Sequence, residues 1–393
     1  MWIGRDAEVL VRRVARQFPA VLVTGARQTG KTSLLRHLFP KASYLSLDLP
    51  ANAEAAQTAA ERLLDRYPPP VIIDEIQYAP ALLRHLKIRI DEDRKRAGRY
   101  LLTGSQVFAL MQGVSESLAG RCALLNLFTL SRAELLAAGR RTDEEAYVFL
   151  GGYPELHVGA EPDFWFPAYV ATYLERDVRN ILRVVDLQDF NRFLRACALR
   201  TSQVLNYSDL ARDTGVAPNT ARKWLGLLQS SLIVALIEPY WGNRTKRLIK
   251  APKLVFLDTG LAAFLAGFRG ALDLFASSYA GAFWESHVVG QVIRKSAARG
   301  ENTMPMYWRT ASGQEVDLVI ERGGGHVVAI ECKYKERPDL ADAAGLCALE
   351  QAEKGRVREK IIVCRTPARY RLADGTWVMN VADALEHFST RPL

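Results

Sequence analysis

Residues Gly25-Ala-Arg-Gln-Thr-Gly30-Lys31-Thr32 spell G-x-x-x-x-G-K-T, a spacing suited to holding phosphate. The loop follows a short β-rich run at 20–24 and precedes a helical-period stretch at 32–39, the context that the motif requires. Glycines let the backbone wrap an anion closely, and the N–H groups at the helix start point at it. Lys31 is predicted to reach the β- and γ-phosphates, and the Thr32 hydroxyl to bind Mg²⁺. Gln28, Thr29 and Ser33 complete the predicted nucleotide cradle. A second element, Val71-Ile-Ile-Asp74-Glu75, is an apolar strand that ends in two acids. Asp74 is predicted to hold the metal through water, and Glu75 to polarise the attacking water. Two acids at such a site argue for hydrolysis rather than nucleotide storage. The chain has no N-K-x-D element for reading guanine, so ATP is the expected cofactor.

Two further candidates belong to the same region. Leu101-Leu-Thr103-Gly-Ser105 is a strand with polar residues at its end. Thr103 and Ser105 each either sense the γ-phosphate or make local hydrogen bonds in a strand-ending turn. Arg121, in Ser117-Leu-Ala-Gly-Arg121, is either an arginine finger for a neighbouring subunit or an ordinary surface arginine.

A second constellation lies near the other end. Asp317 sits in the strand pattern Glu315-Val-Asp317-Leu-Val-Ile, and Glu331-Cys-Lys333 ends the next strand, beyond the turn at 323–325. The spacing is D-x(n)-E-x-K on a hairpin. A strand period of two puts Glu331 and Lys333 on one face, with Asp317 alongside. Asp317 and Glu331 are predicted metal ligands, Lys333 a catalytic residue that orients water, and Glu285 an extra carboxylate from a helix. The opposing reading is a nuclease-like fold that only binds DNA, because fold alone does not fix chemistry.

Between these sites, 206–225 read as helix, tight turn and second helix. Ser208 is expected to cap the first helix and Asn219 the second, with Gly215 at the turn. Leu210, Ala211, Val216, Ala221, Trp224 and Leu225 supply the shared core. Thr220, Arg222 and Lys223 then fall on the exposed face of a recognition helix. The next segment carries Arg244, Lys246, Arg247, Lys250 and Lys253 with no acid among them, and reads as a basic wing for phosphate contacts. The alternative is a packing module, and DNA contact is the favoured reading.

These motifs need elements to hold them. Alternating strands and helices up to about residue 140 predict a parallel sheet with helices on both faces. A mostly helical stretch follows, then the helix-turn-helix, then a tail reading helix, three strands, helix, strand. The expected domains are 1–143, 144–200, 201–265 and 266–393. The chain of 393 residues is 49% hydrophobic and 24% charged, which excludes disordered and disulfide-scaffold classes. A net charge of +9 favours a polyanionic partner, nucleic acid before membrane. Five scattered cysteines without a CxxC pair read as reduced thiols of a cytoplasmic protein. No apolar run approaches the length of a membrane span, and no leader is apparent.

With these blocks in hand, the chain resembles a prokaryotic AAA+ P-loop ATPase family, of the archaeal-type and STAND-like branch, with a C-terminal domain of formerly unknown function. The resemblance is carried by the phosphate loop, Ile73-Asp74-Glu75, Leu102-Thr-Gly-Ser105, Leu118-Ala-Gly-Arg121, Gly151-Gly-Tyr-Pro154, Tyr173-Leu-Glu-Arg-Asp177 and Phe256-Leu-Asp-Thr-Gly-Leu261. It implies an α/β fold: an AAA+ core, a helical lid, a winged helix and a restriction-endonuclease-like PD-(D/E)xK tail. The combined expectation is an oligomeric ATPase that uses ATP and Mg²⁺ to remodel or translocate DNA, branched DNA included, with a ring among the assemblies considered. An ATP-controlled switch, or a transcriptional regulator whose tail only binds DNA or protein, is the alternative.

Overall fold

The computed structural model describes residues 2–105, 117–174, 187–241, 251–301 and 305–390. The first part is a five-stranded sheet of β1 (Ala20–Thr24), β2 (Ser43–Ser46), β3 (Val71–Asp74), β4 (Tyr100–Gly104) and β5 (Cys122–Asn126). The order is β2-β3-β4-β1-β5, and every pairing is parallel. β1, β3 and β4 are buried along their whole length. Helices cover both faces of such a sheet, which is why these strands are continuous apolar runs rather than alternating ones. One apolar cluster joins Leu22, Ile73 and Leu102 to Leu83 and Leu86 of the Leu82–Glu92 helix. On the other face Val21, Val23 and Leu101 meet Leu34 and Leu35 of the Lys31–Leu38 helix. The consequence is that β1, β3 and β4 all deliver polar residues to one edge, at their C-terminal ends.

A helical body follows. Its core runs from Val148 through Phe193, Trp224 and Phe256 to Phe283, so the stretch after residue 144 and the helix-turn-helix share one interior. The Tyr207–Thr214 and Pro218–Ser230 helices bury Leu210, Ala211, Ala221, Trp224 and Leu225 as expected, with Val216 half-buried. Both caps differ from expectation. Asn206, not Ser208, accepts from the Ser208 and Asp209 amides, at 3.0 and 3.3 Å. The second helix starts at Pro218, with Asn219 already inside it. Pro pre-sets the helical φ at a position whose amide has no intrahelical partner, so a side-chain cap is not needed there. A three-stranded antiparallel sheet, β6 (Gln203–Val204), β8 (Lys253–Phe256) and β7 (Val234–Ile237) in that order, sits beside this pair.

The last part is a six-stranded mixed sheet ordered β13-β14-β12-β11-β10-β9. Its strands are β9 (Met306–Arg309), β10 (Glu315–Arg322), β11 (His326–Cys332), β12 (Val357–Val363), β13 (Tyr370–Arg371) and β14 (Trp377–Met379). The sequence pattern missed β13, β14 and the closing Val381–Thr390 helix, whose short runs carry little periodicity. The Ala280–Arg299 helix covers one face, packing Trp284, Val288 and Val292 on Leu318 and Ile330. The Ala344–Glu353 helix covers the other, packing Leu346 and Leu349 on Val319 and Ala329. All five cysteines are free thiols. Among the described residues no helix is long and apolar enough to cross a membrane.

Candidate functional site: a phosphate loop and an acid cluster

The phosphate loop joins β1 to the Lys31–Leu38 helix. Gly25 lies so close to β5 that an added Cβ would sit 2.1 Å from the Leu127 carbonyl oxygen. Its φ of +155° also lies where L side chains rarely go. Gly30 caps the helix in the left-handed region. Lys31 is buried and donates to the Gly25 and Ala26 carbonyls at 3.1 and 2.8 Å, folded back over its own loop. Arg5 pins the loop from outside. It donates to the Thr29 carbonyl at 2.9 Å and the Phe128 carbonyl at 2.7 Å, and pairs with Glu134 at 3.2 Å. An open cleft of about 410 Å³ runs past Gln28, Gly30, Lys31, Thr32, Ser33 and Glu75.

The acids of β3 meet this loop. Asp74 Oδ1 accepts from Thr32 Oγ1 at 2.6 Å and from Thr103 Oγ1 at 2.5 Å, and its Oδ2 accepts from the Tyr44 hydroxyl at 2.9 Å. Burial, and the Asp74 carboxylate after it, push the Tyr44 phenol up to about 12, so it stays a donor. Glu75 follows the strand with φ 56° and ψ 52°, a left-handed conformation that costs a non-glycine residue about 1–3 kcal/mol. Two groups hold it there. Its amide donates to Thr103 Oγ1 at 3.0 Å, and its Oε2 accepts from Ser105 Oγ at 3.1 Å. Gln77 bonds both Glu75 Oε2 and Ser105 Oγ. Thr103 therefore orients both acids with one hydroxyl, donating to Asp74 and accepting from Glu75.

A threonine hydroxyl and a carboxylate oxygen in contact form a hard oxygen donor set, which is what Mg²⁺ selects. The residues present fit the metal, and Thr32 and Asp74 would hold it. The sequence reading missed Tyr44, Gln77 and Arg5, and it named Thr103 only as a polar strand end, without its link to the two acids.

Arg121 stands elsewhere. The Ala20 amide donates to its carbonyl at 3.1 Å, so it lies where β1 begins, whereas the phosphate loop begins where β1 ends. A five-residue strand separates the two ends by roughly 16 Å at about 3.3 Å per residue. Its guanidinium pairs with Asp91 through two bonds of 2.7 and 2.9 Å. A role on its own chain's nucleotide is excluded by this placement, and any finger role acts on a neighbour.

The blocks Gly151-Gly-Tyr-Pro154 and Phe256-Leu-Asp-Thr-Gly-Leu261 pack on each other. A Cβ on Gly151 would lie 2.1 Å from Asp258 Oδ1, and one on Gly260 would lie 2.2 Å from the Leu150 carbonyl. Asp258 accepts from the Gly152 amide at 2.9 Å. Arg294 of the Ala280–Arg299 helix donates to Thr129, just beyond β5, at 2.8 and 3.2 Å. Through these contacts the ATPase sheet, helical body and tail are joined.

In the tail, β10 and β11 pair with Leu318 opposite Ile330, which sets Asp317 beside Glu331 as the spacing predicted. Lys333 donates to Glu331 Oε1 at 2.7 Å, and Asp317 Oδ2 accepts from the Cys332 amide at 2.9 Å. Glu285 reaches the same centre from its helix. The centre itself is filled by Lys253, the first residue of β8. Its Nζ lies 2.8 Å from Glu285 Oε1 and 3.2 Å from Asp317 Oδ1, and also pairs with Glu315. Reading Lys253 as part of an exposed basic wing is thus corrected: it is 2% exposed. Burial opposes its charge, but Glu285, Asp317 and Glu315 hold the ammonium well above its ordinary range. Burial, together with Asp317, pushes Glu331 up to about 8. A divalent metal does not fit this arrangement, because the three inward oxygens already surround a cation with three donors.

On the helix pair, Arg222 and Lys223 are exposed and Thr220 is half-buried. The Arg222 guanidinium lies over the Tyr207 ring, 4.9 Å from its centroid. Arg244, Lys246, Arg247 and Lys250 lie outside the described residues, as does the end of the block that starts at Tyr173.

Residues 17–136 match the family described as AAA domain. Residues 141–272 match Domain of unknown function (DUF8612), and residues 280–384 match Domain of unknown function (DUF4143). Among solved structures, the Walker-type ATPase PABY2304 of Pyrococcus abyssi is similar at 15% identity and a TM-score of 0.46, over 67% of this chain and 96% of that one. AMPPCP-bound DnaA from Aquifex aeolicus is similar at 13% identity and a TM-score of 0.32, over 58% and 89%. Uncharacterized protein Rv2008c of Mycobacterium tuberculosis and Uncharacterized protein Mb2031c of Mycobacterium bovis are each 32% identical over 340 residues, 86% of this chain and 75% of theirs. At that identity and coverage the chain belongs to one family with these mycobacterial proteins, and its residues 17–136 are a P-loop ATPase domain of the AAA type.

Proposed function

We propose that this chain is a Mg²⁺-dependent ATP hydrolase that acts on DNA as an oligomer. The observation that carries the reading is the shared oxygen of Asp74, which receives hydroxyls from Thr32 and Thr103. Bound Mg²⁺ would supply charge neutralisation between the β- and γ-phosphates. The chain's part is to hold and aim. Lys31 moves from its loop carbonyls onto phosphate oxygens, and the loop amides cradle the rest. Glu75, fixed by Thr103 and Ser105, polarises the attacking water. Arg121 completes a neighbour's site in the assembly.

The DNA half rests on the net charge of +9 and on the exposed Arg222 and Lys223. A two-helix unit beside the β7–β8 pair supports a winged helix over 201–265; the expected wing residues Arg244, Lys246 and Arg247 lie outside the described residues. The expected division into core, lid, winged helix and nuclease-like tail is kept as part of this proposal. A switch in which nucleotide sets the domain arrangement is the second reading, favoured by the Arg294–Thr129 link between tail and ATPase sheet.

The test is a pair of variants. Lys31→Ala should abolish binding of a fluorescent ATP analogue, whereas Glu75→Gln should keep binding and stop phosphate release. Equal loss of binding in both would contradict the separate roles.

A further inference from the structure

The acid cluster of the tail is built from four carboxylates on three elements: Glu285 on the Ala280–Arg299 helix, Glu315 and Asp317 on β10, and Glu331 on β11. Such a set, paired with Lys333, has the chemistry of a divalent-cation centre. The cation found in it is the ammonium of Lys253, which comes from outside the tail, on β8 of the neighbouring sheet. The match is stoichiometric. An ammonium has three donors and no acceptor, and here it faces three carboxylates. The Tyr307 ring, 5.4 Å from Nζ, closes another side, and the Tyr307 hydroxyl in turn donates to the Ala251 carbonyl just before Lys253. Arg309 takes the outer oxygen of Glu315 at 3.2 Å, and the Cys332 amide takes the outer oxygen of Asp317.

We propose that Lys253 is the resident cation of this cluster, standing where a divalent metal would stand and fastening the β6-β8-β7 sheet to the tail. Metal entry and burial of Lys253 are then mutually exclusive. A carboxylate cluster left without its cation is costly, and so is an ammonium withdrawn into an apolar interior, which makes the contact a strong join between domains. The tail in this conformation contributes binding surface and rigidity rather than metal-dependent cleavage. The proposal is independent of the ATPase reading, since Lys253 does not line the nucleotide cleft.

The experiment titrates MnCl₂ alone, without nucleotide, into the full chain by calorimetry and thermal shift. It uses wild type, Asp317→Asn, Lys253→Met and Lys253→Met combined with Asp317→Asn. If the metal-open form is populated below 1 in 100, wild type should bind at least about 100-fold more weakly than Lys253→Met. Lys253→Met should gain a Mn²⁺ site that raises its melting temperature, and Asp317→Asn should remove that gain. A folded Lys253→Met with no Asp317-dependent Mn²⁺ site would overturn the proposal. So would a wild-type Mn²⁺ site lost in Asp317→Asn and as tight as that of the variant. Should Lys253→Met fail to fold, a saturable wild-type Mn²⁺ site that is lost in Asp317→Asn would overturn the proposal by itself, and wild type showing no such site would support it.

Discussion

Thr32 and Thr103 donate to the same oxygen, Oδ1 of Asp74, from two different elements of the candidate nucleotide site. Thr32 belongs to the helix after the phosphate loop, and Thr103 to the middle of the adjoining sheet. With its proton engaged on Asp74, the Thr32 oxygen keeps its lone pairs for the metal. Thr103 also accepts the Glu75 amide, so one buried hydroxyl ties the acid proposed to hold the metal to the one proposed to polarise water.

Thr103→Val removes that hydroxyl with little change in volume. Groups of this kind, one step behind the reacting atoms, are worth about 10–100-fold in activity. The expected result is a fall of that size in kcat with ATP affinity little changed, and Thr103→Ser should restore most of it. Steady-state kinetics with a binding titration check this. An unchanged kcat would remove Thr103 from the account.

Arg5 is buried, and its charge is matched by Glu134 and two carbonyls. Arg5→Ala leaves the buried Glu134 without its counter-charge, held only by the Asp6 and Ser131 amides at 2.7 Å each, and breaking a buried pair costs about 3–5 kcal/mol. Chemical denaturation should show a loss of that order. ATP affinity should fall as well, because the Thr29 carbonyl loses its anchor. Adding Glu134→Gln, which removes the charge and keeps a side-chain acceptor for the amides Glu134 caps, should recover part of the stability and none of the affinity.

Most of the candidate nucleotide site was legible because its parts are local in sequence. A strand, a Gly-rich turn and a helix start are specified within about a dozen residues, and so is an apolar strand ending in two acids. The Asp317–Glu331–Lys333 hairpin was legible for the same reason. Lys253 was not. Its partners Glu285 and Asp317 lie 32 and 64 residues further on, and nothing in a run of basic residues separates the one that turns inward. Arg5 escaped likewise, with Glu134 129 residues away. The caps of the helix pair failed locally, because Asn206 and Pro218 compete with Ser208 and Asn219 for the same job.

Glu331 gives a pH dependence with a definite sign. Its folded-state pKa is raised from about 4.5 to about 8, first by burial and then by Asp317. The folded chain therefore binds this proton more tightly than the unfolded one. The stability it contributes is full below about 4.5 and is lost as pH rises through about 8. Melting temperature should fall between pH 6 and 9, and Glu331→Gln should flatten that fall. A variant with the wild-type pH profile would assign the dependence to other groups.

Arg222 and Lys223 should contact phosphate rather than carry the fold, since both are exposed. Replacing each with Gln should weaken binding to all DNA sequences about equally. The salt slope should flatten by about one unit per lost contact. Fluorescence anisotropy across a salt series reads both quantities, and melting temperature should stay within about 1 °C of wild type because ordinary surface changes are small. An unchanged slope would take this helix out of the DNA interface.

The central claim is that ATP hydrolysis at Lys31, Asp74 and Glu75 is coupled to DNA. It is tested most directly by the steady-state rate of phosphate release from ATP, measured without DNA and with single-stranded, duplex and branched DNA at low salt. The account predicts a Mg²⁺-dependent rate that rises with at least one of these DNAs and vanishes in Glu75→Gln. A rate indifferent to every DNA, or one that survives in Glu75→Gln, would contradict it.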